Sequence, residues 1–147
     1  MAFRWQWLLI LALGWPAGGR SLAATTREDR AYAAAVSAFQ DNLWSRAETA
    51  FDRYVQKYPD SSHVADAVLL QARAQFNQGK LTNAIVLLKA RQAGAGALAD
   101  QYVYWIAQAQ AQSGNLAAAA DTFLSLTRDF PASPLRLRAA VDAENRA

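Results

Sequence analysis

Trp44-Ser45-Arg46-Ala47-Glu48-Thr49-Ala50-Phe51 sets a large apolar residue, a small one three places on, and a large one four further. The pattern returns as Leu81-x-x-Ala84-x-x-x-Leu88 and Leu116-x-x-Ala119-x-x-x-Phe123, its alanines 37 and then 35 residues apart. A period in this range marks an array of helical hairpins, none of which can bury its apolar face alone. Stacked neighbours supply the missing partner and leave an open, curved surface, which suits binding better than catalysis.

The copies agree beyond that core. Twelve residues before each alanine stands another small residue, Ala35, Ala72 and Ala107, as close helix packing requires. A turn falls between the two small positions, at Asn42, Gly79 and Gly114, residue types that tolerate the positive φ common after a helix end. Tyr58-Pro59-Asp60-Ser61 and Phe130-Pro131-Ala132-Ser133 follow the second helices. Proline stops the helix before it, and serine or aspartate is expected to cap the next. Three/four spacing assigns Trp44, Ala47, Phe51, Tyr54, Val55 and Tyr58 to the core, with Leu81, Ala84, Leu87 and Leu88 behind them. Leu116, Ala119, Phe123, Leu124 and Leu126 complete that set.

A small residue at position 8, a turn at 15, alanine at 20, a large apolar residue at 24 and proline at 32 resemble the tetratricopeptide repeat. On that frame the units are Glu28–Val64, Ala65–Ala99 and Asp100–Pro134, covering 28–134. The resemblance implies an all-α, right-handed superhelical solenoid of three hairpins plus a terminal helix. The aromatic-Pro-x-Ser endings are similar to envelope repeats of the Tol–Pal-associated periplasmic protein and the outer-membrane assembly lipoprotein. The chain departs from both. Its second unit lacks the closing proline and ends in Gly94-Ala95-Gly96-Ala97, a softer joint; no long coiled coil precedes the repeats, and no cysteine is present for acylation. Residues 135–147 read either as a capping helix with a polar outer face or as the start of a truncated fourth repeat.

The front of the chain has a different character. Arg4 precedes an apolar run from Trp5 to Leu13, then Gly14-Trp15-Pro16 and the small-residue site Ser21-Leu22-Ala23. This is the layout of a secretory signal over 1–23, cleaved after Ala23 or Ala24, with 24–27 a short leader. The rival is a retained membrane anchor, but the apolar run is well short of the roughly 20 residues that span a bilayer. Cleavage leaves no stable membrane span and places the protein outside the cytoplasm, in a bacterial periplasm by the resemblance. It also removes two arginines, leaving thirteen basic against twelve acidic residues. With no basic run or basic helix face remaining, a nucleic acid partner is not expected.

Reactive groupings are scarce. His63 is the only histidine, beside Asp60-Ser61-Ser62 at an expected helix start. One histidine and no cysteine cannot supply the usual zinc set, and the glycines at 94 and 96 lack the phosphate-loop context. Glu48 and Asp52, four apart, read as a solvated face beside Arg46 and Arg53. No catalytic residue, cofactor or metal is therefore expected.

By the resemblance, first-helix positions 2, 5, 9, 12 and 13 line the concave face. The candidates for peptide binding there are Tyr32, Phe39, Arg73, Phe76, Asn77, Gln101, Tyr104, Gln108 and Gln112. Amides both donate to and accept from a peptide backbone. Arg73 can fork onto an acidic side chain or a C-terminal carboxylate, and the aromatics supply anchoring area. Against this, Phe39 and Phe76 can simply pack between their own helices, and Arg73 can pair with Asp66 or Asp100. The expected function is an exported, non-catalytic scaffold for a protein or peptide in the cell envelope. The alternative is a spacer or oligomerisation module of a larger envelope protein, with homo-oligomers formed through the end helix.

Overall fold

The structure, a computed structural model, describes residues 26–145. The expected signal at 1–23 lies outside the described residues. Seven α-helices and no strand occur among the described residues. They are α1 (Arg27–Gln40), α2 (Trp44–Lys57), α3 (Val64–Asn77), α4 (Leu81–Arg91), α5 (Ala99–Gln112), α6 (Leu116–Asp129) and α7 (Arg136–Glu144). Each helix packs against its neighbours in sequence, and α1, α3 and α5 also touch in file. The result is an all-α solenoid of helical hairpins.

Small residues set the helix spacing. Ala35 and Ala47, Ala72 and Ala84, and Ala107 and Ala119 are all essentially buried in their hairpins. Phe51, Leu88 and Phe123 fill the space beside them, fully buried. The turns between paired helices are the same in all three hairpins. Asn42, Gly79 and Gly114 adopt φ of 58°, 73° and 85°. The next amide reaches back across the turn: Leu43 to the Ala38 carbonyl at 2.9 Å, Lys80 to Gln75 at 2.9 Å and Asn115 to Gln110 at 3.0 Å. These close the helix ends in the Schellman manner.

Several expectations need correction. Ser61 and Ser133 do not cap α3 and α7. Their hydroxyls accept the amides of His63 and Leu135, at 3.1 and 3.0 Å, one step before each helix begins. They also tie each hairpin to its own start: Ser133 donates to Asp100 at 2.6 Å, and Ser61 meets the Tyr54 hydroxyl at 2.6 Å, which donates to Glu28 at 3.1 Å. The joint after α4 is two short 3₁₀ turns, Gln92–Gly94 and Gly96–Leu98, with Ala95 buried between them. A hydrogen bond from the buried Tyr102 hydroxyl to the Ala65 carbonyl, 2.7 Å, fastens α5 to α3 there. Leu116 and Leu124 are 48% and 53% exposed, so neither belongs to the core. Their spacing was right for α6, but at those positions the helix is left exposed among the described residues.

Two cores result. One runs from α1 into α5 through Phe51, Tyr54, Leu69, Leu88, Tyr102 and Ile106. The other joins the remaining side of α5, at Val103, Tyr104 and Ala107, to Phe123 and Leu126 of α6 and Ala139 and Ala143 of α7.

Candidate functional site

The first helices of the three hairpins bring their inner residues into one line. Arg73 of α3 lies between two aromatic rings, its guanidinium carbon 5.2 Å from the Phe39 centroid and 4.9 Å from that of Trp105. The flanking rings are themselves braced. Phe39 meets Trp44 edge-on at 5.2 Å and Phe51 at 6.5 Å, while Trp105 meets Phe76 at 5.2 Å. A cation over a ring face is worth roughly 0.5–2 kcal/mol per ring, more when desolvated. The two rings therefore help to hold the arginine in place.

Its charge is only partly answered. Neither Asp66 nor Asp100 forms an ion pair with it among the described residues. Asp66 accepts the Tyr32 hydroxyl, and Asp100 accepts Ser133 and the Gln101 amide. Among the described residues the buried Arg73 Nε has no hydrogen-bond partner. Burial draws the guanidinium below its ordinary pKa, with the more distant Asp66 charge opposing that pull. A buried N–H without an acceptor is uncommon in native proteins. Here it sits on a guanidinium flanked by a ring from α1 and a ring from α5.

A tetratricopeptide repeat family model matches residues 32–97 and 86–134, well over half of the chain. The chain belongs to the tetratricopeptide repeat family. No curated protein matches it at a significant level.

Within this tetratricopeptide repeat array the nine expected groove residues divide. Phe39, Arg73 and Phe76 join the aromatic line. Phe39 does both things weighed for it, packing on α2 and flanking Arg73. Asn77 and Gln112 are exposed at the C-terminal ends of α3 and α5, and Gln101 is half-buried near the start of α5. Tyr32 stacks on His63 at 4.4 Å and spends its hydroxyl on Asp66. Tyr104 is only 5% exposed. Its hydroxyl donates to Asp142 of α7 at 3.3 Å and accepts from Gln108 at 2.7 Å, and Gln108 also donates to Asp142 at 3.1 Å. The Arg138 guanidinium lies 5.5 Å from the Tyr104 ring. Tyr104 and Gln108 thus tie α5 to α7, and the Tyr104 ring is buried there.

Trp105 was not foreseen. It occupies position 6 of its unit, outside the usual lining set, and sequence signalled it only by the run Tyr102-Val103-Tyr104-Trp105. Among the described residues no helix is long and apolar enough to cross a membrane.

Proposed function

We propose that the chain is an exported scaffold whose concave face takes a peptide or protein segment ending in, or carrying, a carboxylate. Tetratricopeptide repeats suggest protein partners in general. The observation that favours an acidic one is Arg73, clasped between Phe39 and Trp105 with an unpartnered buried Nε. The rings fix the guanidinium before a ligand arrives, so little ordering entropy remains to be lost on binding. Asn77 and Gln112, exposed near the same helix ends, suit the backbone of an extended segment. Export to the periplasm rests on the layout of residues 1–23, and fractionation of cells expressing the tagged chain tests it separately.

Trp105 provides the readout. Acidic peptides with a free C-terminus should change its fluorescence saturably, and the same peptides with an amidated end and Asn for Asp should not. Equal responses to both would dismiss the carboxylate reading. A second reading, pairing of two copies through the end helix, draws on Leu137 and Val141, both exposed on α7. A mass that rises with concentration by sedimentation would favour it.

A further inference from the structure

On another face of α3 lies a recess. Gln71 and Gln75 are four apart and share a face, whereas Arg73 points roughly 200° away, at about 100° per residue. The recess, about 340 Å³, is lined by Ser45, Glu48 and Asp52 of α2, by Gln71 and Gln75, and by Lys80. This replaces the solvated pair expected at Glu48 and Asp52.

Its charges do not cancel. Glu48 binds Lys80 at 2.7 Å and accepts the amides of Gln75 and Gln78 at 3.1 and 2.8 Å. Among the described residues Asp52 accepts only neutral amides, Gln56 at 2.7 Å and Gln71 at 3.4 Å. One carboxylate is left without a counter-charge among the described residues. Gln75 is only 7% exposed; its nitrogen is spent on Glu48, and among the described residues its Oε1 has no donor. The next hairpin shows the alternative. Gln110, 35 residues on, accepts the Thr122 hydroxyl at its Oε1, 2.7 Å away. The residue matching Thr122 is Leu87, whose side chain has no hydrogen-bond donor.

We propose that this recess binds an organic cation with several N–H donors, an alkylguanidinium or alkylammonium group, through Gln75 Oε1 and the Asp52 carboxylate. Each oxygen of that carboxylate keeps a lone pair after its amide bond, and charge-assisted N–H donors make the stronger bonds there. No group of three His, Asp or Glu able to hold a metal occurs among the described residues. The cation comes either from a free small molecule or from an Arg or Lys side chain of a partner protein.

The test is titration of the ¹⁵N-labelled full chain with ethylguanidinium chloride, and separately with end-blocked Gly-Arg-Gly, at constant chloride. The side-chain amide signals of Gln71 and Gln75 should move saturably. Asp52→Asn should weaken binding about tenfold or more, with Tm nearly unchanged. Leu87→Thr supplies the missing internal donor and should also weaken it; Gln75→Met, without the carbonyl, gives an independent check. Tighter binding of the peptide assigns the site to a partner's side chain, and equal binding assigns it to a free cation. Shifts reproduced by sodium chloride alone, or unchanged in Asp52→Asn and Leu87→Thr, would overturn the proposal.

Discussion

Arg73 sets packing against charge. Its rings are already in contact, so Arg73→Met keeps most of the buried surface and removes a desolvated cation. Such exchanges are often neutral or stabilising. Stability should therefore change by no more than about 1 kcal/mol in chemical denaturation. Affinity for a carboxylate-ended peptide should fall by about 2–5 kcal/mol, the usual cost of removing a buried hydrogen-bonded charge. A large stability loss with unchanged affinity would make Arg73 a structural residue. Tyr102 makes a different prediction. Burial pushes its hydroxyl up to about 12 from an ordinary 10.0. Between those values the unfolded chain ionises this group and the folded chain does not, so stability falls as pH rises. Thermal melts should show a Tm declining above about pH 10, and Tyr102→Phe should remove part of that slope.

The turns and joints carry the next scale. Gly79 and Gly114 have open space where a Cβ would stand, so only backbone conformation argues against alanine. Gly79→Ala or Gly114→Ala should cost roughly 1 kcal/mol, as is usual for a positive φ without glycine. Gly94 has the same open space and no positive φ. Gly94→Ala should stabilise the chain by about 0.4–1 kcal/mol through the unfolded state. Opposite signs from equally exposed glycines, measured by urea unfolding, check the conformational argument. The helices, their turns and the small residues between them were legible because each is set within about forty residues of chain. What was not legible depends on which element lies on top. Spacing puts Leu124 in the core and the resemblance puts Tyr104 on the open face, yet α7 covers Tyr104 and Leu124 is left exposed among the described residues. Serine after proline announces a helix start, but only the fold shows Ser133 reaching Asp100. Trp105 lies between the usual lining positions, and its worth comes from Arg73 on a different helix.

Across the whole molecule, stability is a sum over neighbours. Phe51→Ala and Phe123→Ala empty the middle of one core each and should cost about 3–5 kcal/mol apiece. Their effects should be close to additive, since they lie in separate cores. Acid acts on the seam between the first two hairpins. Burial disfavours the charged Glu48, but hydrogen bonds from Lys80, Gln75 and Gln78 outweigh it and hold the carboxyl below its ordinary 4.5. That stabilisation is complete above 4.5 and fades as pH falls through the lowered native value. Tm should drop in this acid window, and less so in Lys80→Met.

The two cores meet on one helix. Tyr102 and Ile106 of α5 look back towards the first four helices, while Val103, Tyr104 and Ala107 look forward to the last two. Pulled by its ends, the chain should peel inwards from α1 and α7, with α5 the last helix to let go. In deuterium oxide the amide protons of α5 should be the slowest in the chain to exchange. Its middle, rather than either end, keeps the molecule's longest memory of being folded.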